Sequence, residues 1–463
     1  MFEQFFSPRS IAIIGASSNP EKIGYAILKN LVSSGYSGSI YPVNPNSSEI
    51  MGLKAYSSIT QIPGSVDLTV IALPASKTPG EVRECVRLKV PYVIIIPGGF
   101  SETGEEGRTL ENQISRAIAG SDTRIIGPNT VGVYFPHTRV NTALTPPDRI
   151  SFPPPGNIAF ISQSGALGLL TMDSISEYGI GVSAFVNLGN KLDVNELEMI
   201  SHFSTDPNTG SIALYLESIE SGRKFFDLIR DVNRRKPIVV LKSGRSEASA
   251  RAASLHTGAM ASDDRVLNGA LCQAGVARAF DETELLDYAR VLAYARPFSG
   301  NRIAVVTTAG GVGVISADLI SSKINGIGFQ MASLSAATKQ GIRESIVAFG
   351  TAENPIDLTA DGSLESYDQV LSALEAEREV DAILAYALPQ TPKMSMGIVE
   401  VVDKHINFGK AIVVGVIGSK LGRELLLEFE KKKIAAFPSI QRSVKALKVL
   451  HDYGKYMKDR GYL

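Results

Sequence analysis

A chain of 463 residues exceeds the roughly 250 to 300 that one hydrophobic core organises, so two or three domains are expected. Lys+Arg (46) nearly cancels Asp+Glu (47), which leaves no broad field for nucleic acid or an anionic membrane and makes any anion site local. Two distant cysteines, Cys85 and Cys272, exclude a disulfide framework and a Cys-type zinc site; no metal site is expected, and both thiols should be buried in a reducing compartment. The N-terminus Met1-Phe2-Glu3-Gln4 lacks a basic, then apolar leader, and no apolar run reaches the roughly 18 residues of a membrane span. A soluble, cytoplasmic protein is expected.

Three times the chain restarts an alternation of a short β-branched run, a Gly-bearing turn and an amphipathic helix, the pattern of parallel α/β architecture. The first module offers strands at Ile11-Ala12-Ile13-Ile14, Ser39-Ile40-Tyr41-Pro42-Val43, Leu68-Thr69-Val70-Ile71, Tyr92-Val93-Ile94-Ile95 and Arg124-Ile125-Ile126. Prolines at 146, 147 and 153–155 remove donors and stiffen a connector, so the first domain is taken as 1–150. The second, 151–298, carries strands at Ile158-Ala159-Phe160-Ile161, Val182 to Phe185, Ile212 to Leu216 and Ile238 to Leu241, and closes with a helix near Glu282 to Ala295. The third, 299–463, begins Ile303-Ala304-Val305-Val306-Thr307 and ends in an amphipathic helix from about Ser439. Three doubly wound α/β units are predicted.

Ile14-Gly15-Ala16-Ser17-Ser18-Asn19-Pro20 follows the first strand and leads through Lys22 and Gly24 into a helix. Free N-H groups and a positive dipole end there suit a pyrophosphate. The dinucleotide fingerprint needs G-x-G-x-x-G and an acidic residue about 20 positions on; both are missing. The second strand ends Val43-Asn44-Pro45, with no carboxylate to repel a ribose 3'-phosphate, while Lys22 and Lys54 lie nearby. Coenzyme A fits better than NAD, although packing alone also accounts for a glycine turn. Leu73-Pro74-Ala75, Pro97-Gly98-Gly99-Phe100 and Gly127-Pro128-Asn129 should line the same edge, where open parallel sheets bind ligands.

Ser162-Gln163-Ser164-Gly165-Ala166-Leu167-Gly168 again runs from strand through a polar turn into an apolar helix, and Ala309-Gly310-Gly311-Val312-Gly313 repeats the design. Their first helical N-H groups, at Ser164, Gly165 and Ala166 and at Gly310, Gly311, Val312 and Gly313, are candidate phosphate donors. A serine nucleophile at Ser164 is disfavoured, since G-x-S-x-G requires Gly where Ser162 and Ala166 stand.

His137 sits in a Pro-flanked loop, and His202, His405 and His451 lie in helix-like stretches; all four read as structural. His256 differs, because Ser254-Leu255-His256-Thr257-Gly258-Ala259 is a small-residue run that suits a mobile loop. An imidazole is a good nucleophile toward a phosphoryl group and a good leaving group afterwards. On the residues alone, structural and catalytic roles for His256 both stand. Its second nitrogen would need an acceptor, for which Glu217 is the first candidate and Glu220 the second.

Taken together, Ile14-Gly15-Ala16-Ser17, Val43-Asn44-Pro45, Gly127-Pro128-Asn129, Ser162-Gln163-Ser164-Gly165, Tyr215-Leu216-Glu217, Ser254-Leu255-His256-Thr257-Gly258, Gly310-Gly311-Val312-Gly313 and Asn354-Pro355-Ile356-Asp357 resemble the α subunits of ADP-forming acetyl-CoA synthetases (acetate-CoA ligases), relatives of the succinyl-CoA synthetase α subunit. The resemblance spans the chain. It implies a Rossmann-type CoA-binding domain, two flavodoxin-like CoA-ligase domains whose helix N-termini hold phosphate, a phosphohistidine at His256, and a carboxylate at Glu217 or Glu220 that steadies the ring. It further implies a separate ATP-grasp β subunit carrying ADP/ATP and Mg2+, in an α2β2 heterotetramer. The expected chemistry converts acyl-CoA and phosphate into acyl phosphate and CoA, then passes the phosphoryl group through His256 to ADP. The alternative is a CoA-sensing or scaffold protein that keeps the fold without the chemistry.

Overall fold

The computed structural model describes residues 2–246, 248–249, 263–322, 327–407 and 409–462. It separates into two compact units, 1–274 and 275–463. No described helix is long and apolar enough to cross a membrane.

The first unit holds two sheets. The β-branched runs of the first module are buried on both faces, as parallel strands flanked by helices must be. Five parallel strands lie in the order Ser39–Val43, Ser10–Ile14, Leu68–Ile71, Tyr92–Ile95 and Arg124–Ile126, so that Ile14 pairs with both Val43 and Ile71. This 2-1-3-4-5 order turns back at the first strand, and its carboxyl end faces the crevice where such sheets bind ligands. One side of the sheet packs into a cluster that includes Ala12, Ile14, Ile71, Cys85, Phe100 and Ile114.

The second sheet repeats the winding. Val182–Asn187, Pro155–Ser162, Ser211–Leu216 and Ile238–Lys242 lie side by side and parallel, in the order 2-1-3-4. Two strands not foreseen extend this sheet: Val133–Phe135 lies antiparallel beside Val182–Asn187, and Val140–Asn141 lies antiparallel beside Val133–Phe135. The chain therefore crosses to the second sheet before the proline-rich connector. The Asn187 carboxamide anchors the crossing, taking the Val131 N–H at 2.8 Å and the Thr130 hydroxyl at 2.9 Å.

In the second unit, Gln330–Met331, Arg302–Thr307, Ala382–Ala387, Ala411–Val416 and Ala436–Phe437 again lie in the order 2-1-3-4-5, with Ile356–Asp357 pairing the end of Arg302–Thr307. The three expected doubly wound modules are present. The helix expected near Glu282 to Ala295 is present as Glu282–Tyr294 and packs on Ile440–Asp459. Complementary charges join the two helices: Arg442 grips Asp287 through two bonds of 2.7 and 2.8 Å, and Lys445 reaches Glu284 at 2.7 Å.

Candidate functional site

The loop after Ser10–Ile14 is shaped by glycine. Gly15 holds φ +92°, and a Cβ there would stand 2.7 Å from the Ala72 carbonyl oxygen; at Gly24 a Cβ would fall on the Gly15 carbonyl oxygen. Helix Ile23–Ser33 can thus start directly beneath the loop. Its N-cap, Lys22, provides no side-chain cap, so the first backbone donors stay available to a ligand. Asn44 closes the neighbouring strand end by donating to the Ala16 carbonyl at 2.8 Å and accepting from the Asn46 N–H at 2.8 Å.

A cavity of about 760 Å³ opens at this point. Of the expected residues, Gly15, Ser17, Lys22, Val43, Asn44, Pro45, Leu73 and Pro74 line it. Ser18, Ala75, Gly98, Gly99 and Asn129 lie outside the lining, as does Lys54, whose ammonium stacks 5.2 Å from the Tyr56 ring centre. Gly99 instead donates its N–H to Glu102 at 2.6 Å, and Asn129 faces Asn190 at 3.3 Å. Lys77 and Glu81 line the cavity and were not foreseen, because no local pattern after the third strand marks them as facing the first strand's loop. Burial pushes the Glu81 carboxyl above its usual value, and Glu84 adds to the effect.

In the second module, Ser164 caps helix Gly165–Ser176 without a side-chain bond, again leaving the first N–H groups to a ligand. Gly165 is required, since a Cβ would strike the Val131 side chain. Gln163 turns the other way and meets the end of Ser211–Leu216. Its Oε1 accepts the N–H groups of Glu217 and Ser218 at 2.9 and 3.0 Å, and its Nε2 donates to the Ser218 hydroxyl at 3.0 Å. Glu217 is half-buried at the sheet edge and Glu220 is exposed. Burial raises the Tyr215 phenol; Ser243 acts against that shift and Glu217 adds to it.

The second unit contains a comparable loop. Ala309 caps helix Gly310–Ser321 with no side-chain bond, and Asp357 Oδ2 lies 3.0 Å from where a Gly310 Cβ would be. Gly311 has open space about its Cα, and a Gly313 Cβ would press on Pro355 at 3.0 Å. Val312 and Gly313 correct the expectation of four phosphate donors here: their N–H groups already bond the Ala309 carbonyl at 3.0 and 3.3 Å, which leaves Gly310 and Gly311 as the candidates.

His256 lies outside the described residues. The other histidines have structural settings. His405 is buried between Glu375 (2.9 Å) and Asp368 (2.7 Å), His202 stacks on Phe6, His451 packs edge-on against Phe329, and His137 meets the Gly156 carbonyl at 3.0 Å. Cys85 is buried, which pushes its thiol up to about 12. Cys272 corrects the expectation of two buried thiols: it is exposed on helix Asp264–Ala274, whose Leu267, Leu271 and Ala274 face inward instead.

Comparison with known proteins follows the same three modules. A CoA binding domain family matches residues 9–136, a succinyl-CoA ligase like flavodoxin domain 155–292, and a Ligase-CoA domain 303–456. The α subunit of acetate-CoA ligase [ADP-forming] I of Pyrococcus furiosus is 36% identical over 461 residues, with 98% of each chain covered. The chain belongs to the ADP-forming acetate-CoA ligase family. Another family member, acetate-CoA ligase [ADP-forming] I of Archaeoglobus fulgidus, is 34% identical over 98% of this chain, which spans 64% of that longer protein. Among solved structures of the family, the dinucleotide forming acetyl-coenzyme A synthetase 1 of Ca. Korarchaeum cryptofilum, in complex with phosphate and ADP, has a TM-score of 0.88 and 35% identity, with 100% of this chain and 98% of that chain covered.

Proposed function

We propose that this chain is the α subunit of an ADP-forming acyl-CoA synthetase with acetyl-CoA as its reference substrate, working with a separate ATP-grasp β subunit in an α2β2 assembly. The observation that carries the reading is the likeness, over 98% of both chains, to a protein that is itself an α subunit. Domains 1–150, 151–298 and 299–463 then divide the work as a CoA-binding domain and two ligase domains.

CoA occupies the cavity beside Gly15, with its phosphates toward the uncapped start of Ile23–Ser33 and the ammonium groups of Lys22 and Lys77. Backbone donors at Ser164–Ala166 hold the attacking phosphate, and the Gly310 and Gly311 N–H groups offer a second, separate anion-binding helix start. A phosphate oxygen attacks the thioester carbonyl, the C–S bond breaks, and CoA leaves as its thiolate, with the N–H groups stabilising the developing charge. An imidazole nitrogen of His256 then takes the phosphoryl group from the acyl phosphate, the P–O bond to the acyl group breaks, and the carboxylate leaves. Glu217, or Glu220, holds the other ring nitrogen and stabilises the charged ring. ADP on the β subunit finally accepts the phosphoryl group: a β-phosphate oxygen bonds to phosphorus, the N–P bond breaks, ATP forms and the imidazole is regenerated, and Mg2+ there would neutralise phosphate charge.

Incubation of the α/β complex with acetyl-CoA and radioactive phosphate is expected to leave an acid-labile, base-stable label on this chain. His256→Ala should abolish the label while CoA binding persists, and a label that survives the substitution overturns the reading.

A further inference from the structure

Two side chains from separate loops converge on the turn that follows Ser211–Leu216. Gln163 spends both acceptor positions of Oε1 on the N–H groups of Glu217 and Ser218, and Nε2 on the Ser218 hydroxyl. Lys191 reaches the same turn by donating Nζ to the Ser218 carbonyl at 3.0 Å, while its charge is met by Glu196 at 3.0 Å. The Lys191 and Glu196 side chains are 1% and 3% exposed, so this brace works in a dry, low-dielectric setting where a directed bond is strong. Gln163 is also covalently next to Ser164, the cap of the uncapped-side-chain helix Gly165–Ser176.

We propose that Gln163 is a positioning residue for the phosphoryl-transfer step, with Lys191 as its second support. By gripping the Glu217 and Ser218 backbone, it sets the direction in which the Glu217 carboxylate is presented and ties that carboxylate to the phosphate-binding loop one residue away. The carboxylate and the helix N-terminus then keep one spacing through the reaction. A carboxamide suits the task, because a single planar group supplies two acceptor directions and a donor on one short stem. The inference rests on the acyl-phosphate reading above and assigns Gln163 no contact with substrate.

The test is single-turnover labelling of His256 in the α/β complex at saturating phosphate. Gln163→Met removes the three bonds at similar length and is expected to slow labelling by roughly 10- to 100-fold, the usual scale for residues that orient a reacting group. Affinity for CoA should stay within about twofold, because the cavity beside Gly15 lies on another loop and distant sites are nearly additive. In a Glu217→Gln background the same change should add less than about threefold, as expected when two residues act through one another. Gln163→Glu keeps both acceptor bonds and should remain within about fivefold of the parent, a rescue that a space-filling role does not predict. Gln163→Asn, one methylene short but equally polar, carries the test if the methionine variant fails to fold, and its labelling should fall as the methionine variant's would. Wild-type labelling by Gln163→Met or Gln163→Asn overturns the proposal. So does a full multiplicative loss in the Glu217→Gln background, or a Gln163→Glu enzyme as slow as Gln163→Met. Wild-type labelling by Glu217→Gln alone overturns the underlying role of Glu217 as well, which separates the two failures.

Discussion

Gly24 has no side chain because the Gly15 carbonyl oxygen occupies the place its Cβ would take. This contact lets helix Ile23–Ser33 begin against the loop and places its first residues, Ile23 and Gly24, in the cavity wall. Gly24→Ala must push the Gly15 loop away, at a cost of about 1–3 kcal/mol for overpacking. Isothermal titration with CoA should show affinity reduced by at least about tenfold, the equivalent of 1.4 kcal/mol. Gly269→Ala is the control, since helix Asp264–Ala274 has open space at that position, and it should leave CoA affinity unchanged.

The two candidate carboxylates are separated by environment. Glu217 is half-buried on a turn held by Gln163 and Lys191, whereas Glu220 is exposed three residues on. A carboxylate fixed by its surroundings orients an imidazole better than one that swings in water. Glu217→Gln is therefore expected to lower phosphohistidine formation by roughly 10- to 100-fold. Glu220→Gln should change it by less than about threefold, as for an ordinary surface position within about 0.5 kcal/mol. Rapid-quench labelling of both variants checks the order, and equal losses would return Glu220 to the site.

What was legible in the sequence is what is written locally. Gly15, Lys22, Ser164, Gly165 and Gly310 each sit within a strand, turn and helix start whose pattern is complete in about ten residues. The cavity walls supplied by Lys77 and Glu81 were not, because they enter only once Leu68–Ile71 pairs beside Ser10–Ile14. The same holds for Gln163, whose partners lie 54 and 55 positions away. Nothing in the apolar pattern of Val133–Phe135 says that it joins the second sheet rather than the first; the Asn187 carboxamide decides it. Helix Glu282–Tyr294 is equally mute, since its acidic residues find Arg442 and Lys445 more than 150 positions on.

Lys191 and Glu196 form a pair with almost no solvent contact. Removing one member strands the other charge, and breaking such pairs costs about 3–5 kcal/mol, while apolar replacement of both is close to neutral. Lys191→Met should lower the thermal midpoint of the enzyme markedly, and Lys191→Met combined with Glu196→Leu should recover most of the loss. The double variant should still label slowly, because the Ser218 carbonyl has lost its donor. Scanning calorimetry together with His256 labelling separates the stability effect from the positioning effect.

Glu377 supplies a pH dependence whose sign is fixed by its partners. The Ser335 N–H donates to its Oε2 at 2.9 Å, the Thr338 hydroxyl at 2.8 Å, and the Glu379 N–H reaches Oε1 at 3.1 Å. The backbone bond from Ser335 leads these effects, burial opposes them, and the Ser335 and Thr338 side chains add to the lowering, which brings the carboxyl from 4.5 to about 2. A depressed value means that the folded state favours the ionised form. The stabilisation is therefore complete above pH 4.5, shrinks as the pH falls below it, and is gone once the pH has passed through about 2. Glu377→Gln should flatten the stability curve across that interval and lower stability at neutral pH, where the parent carboxylate also sits favourably before helix Ala336–Ser345. Urea unfolding followed from neutral pH down to pH 2.5 measures both effects; parallel curves for parent and variant would remove Glu377 from the acid response.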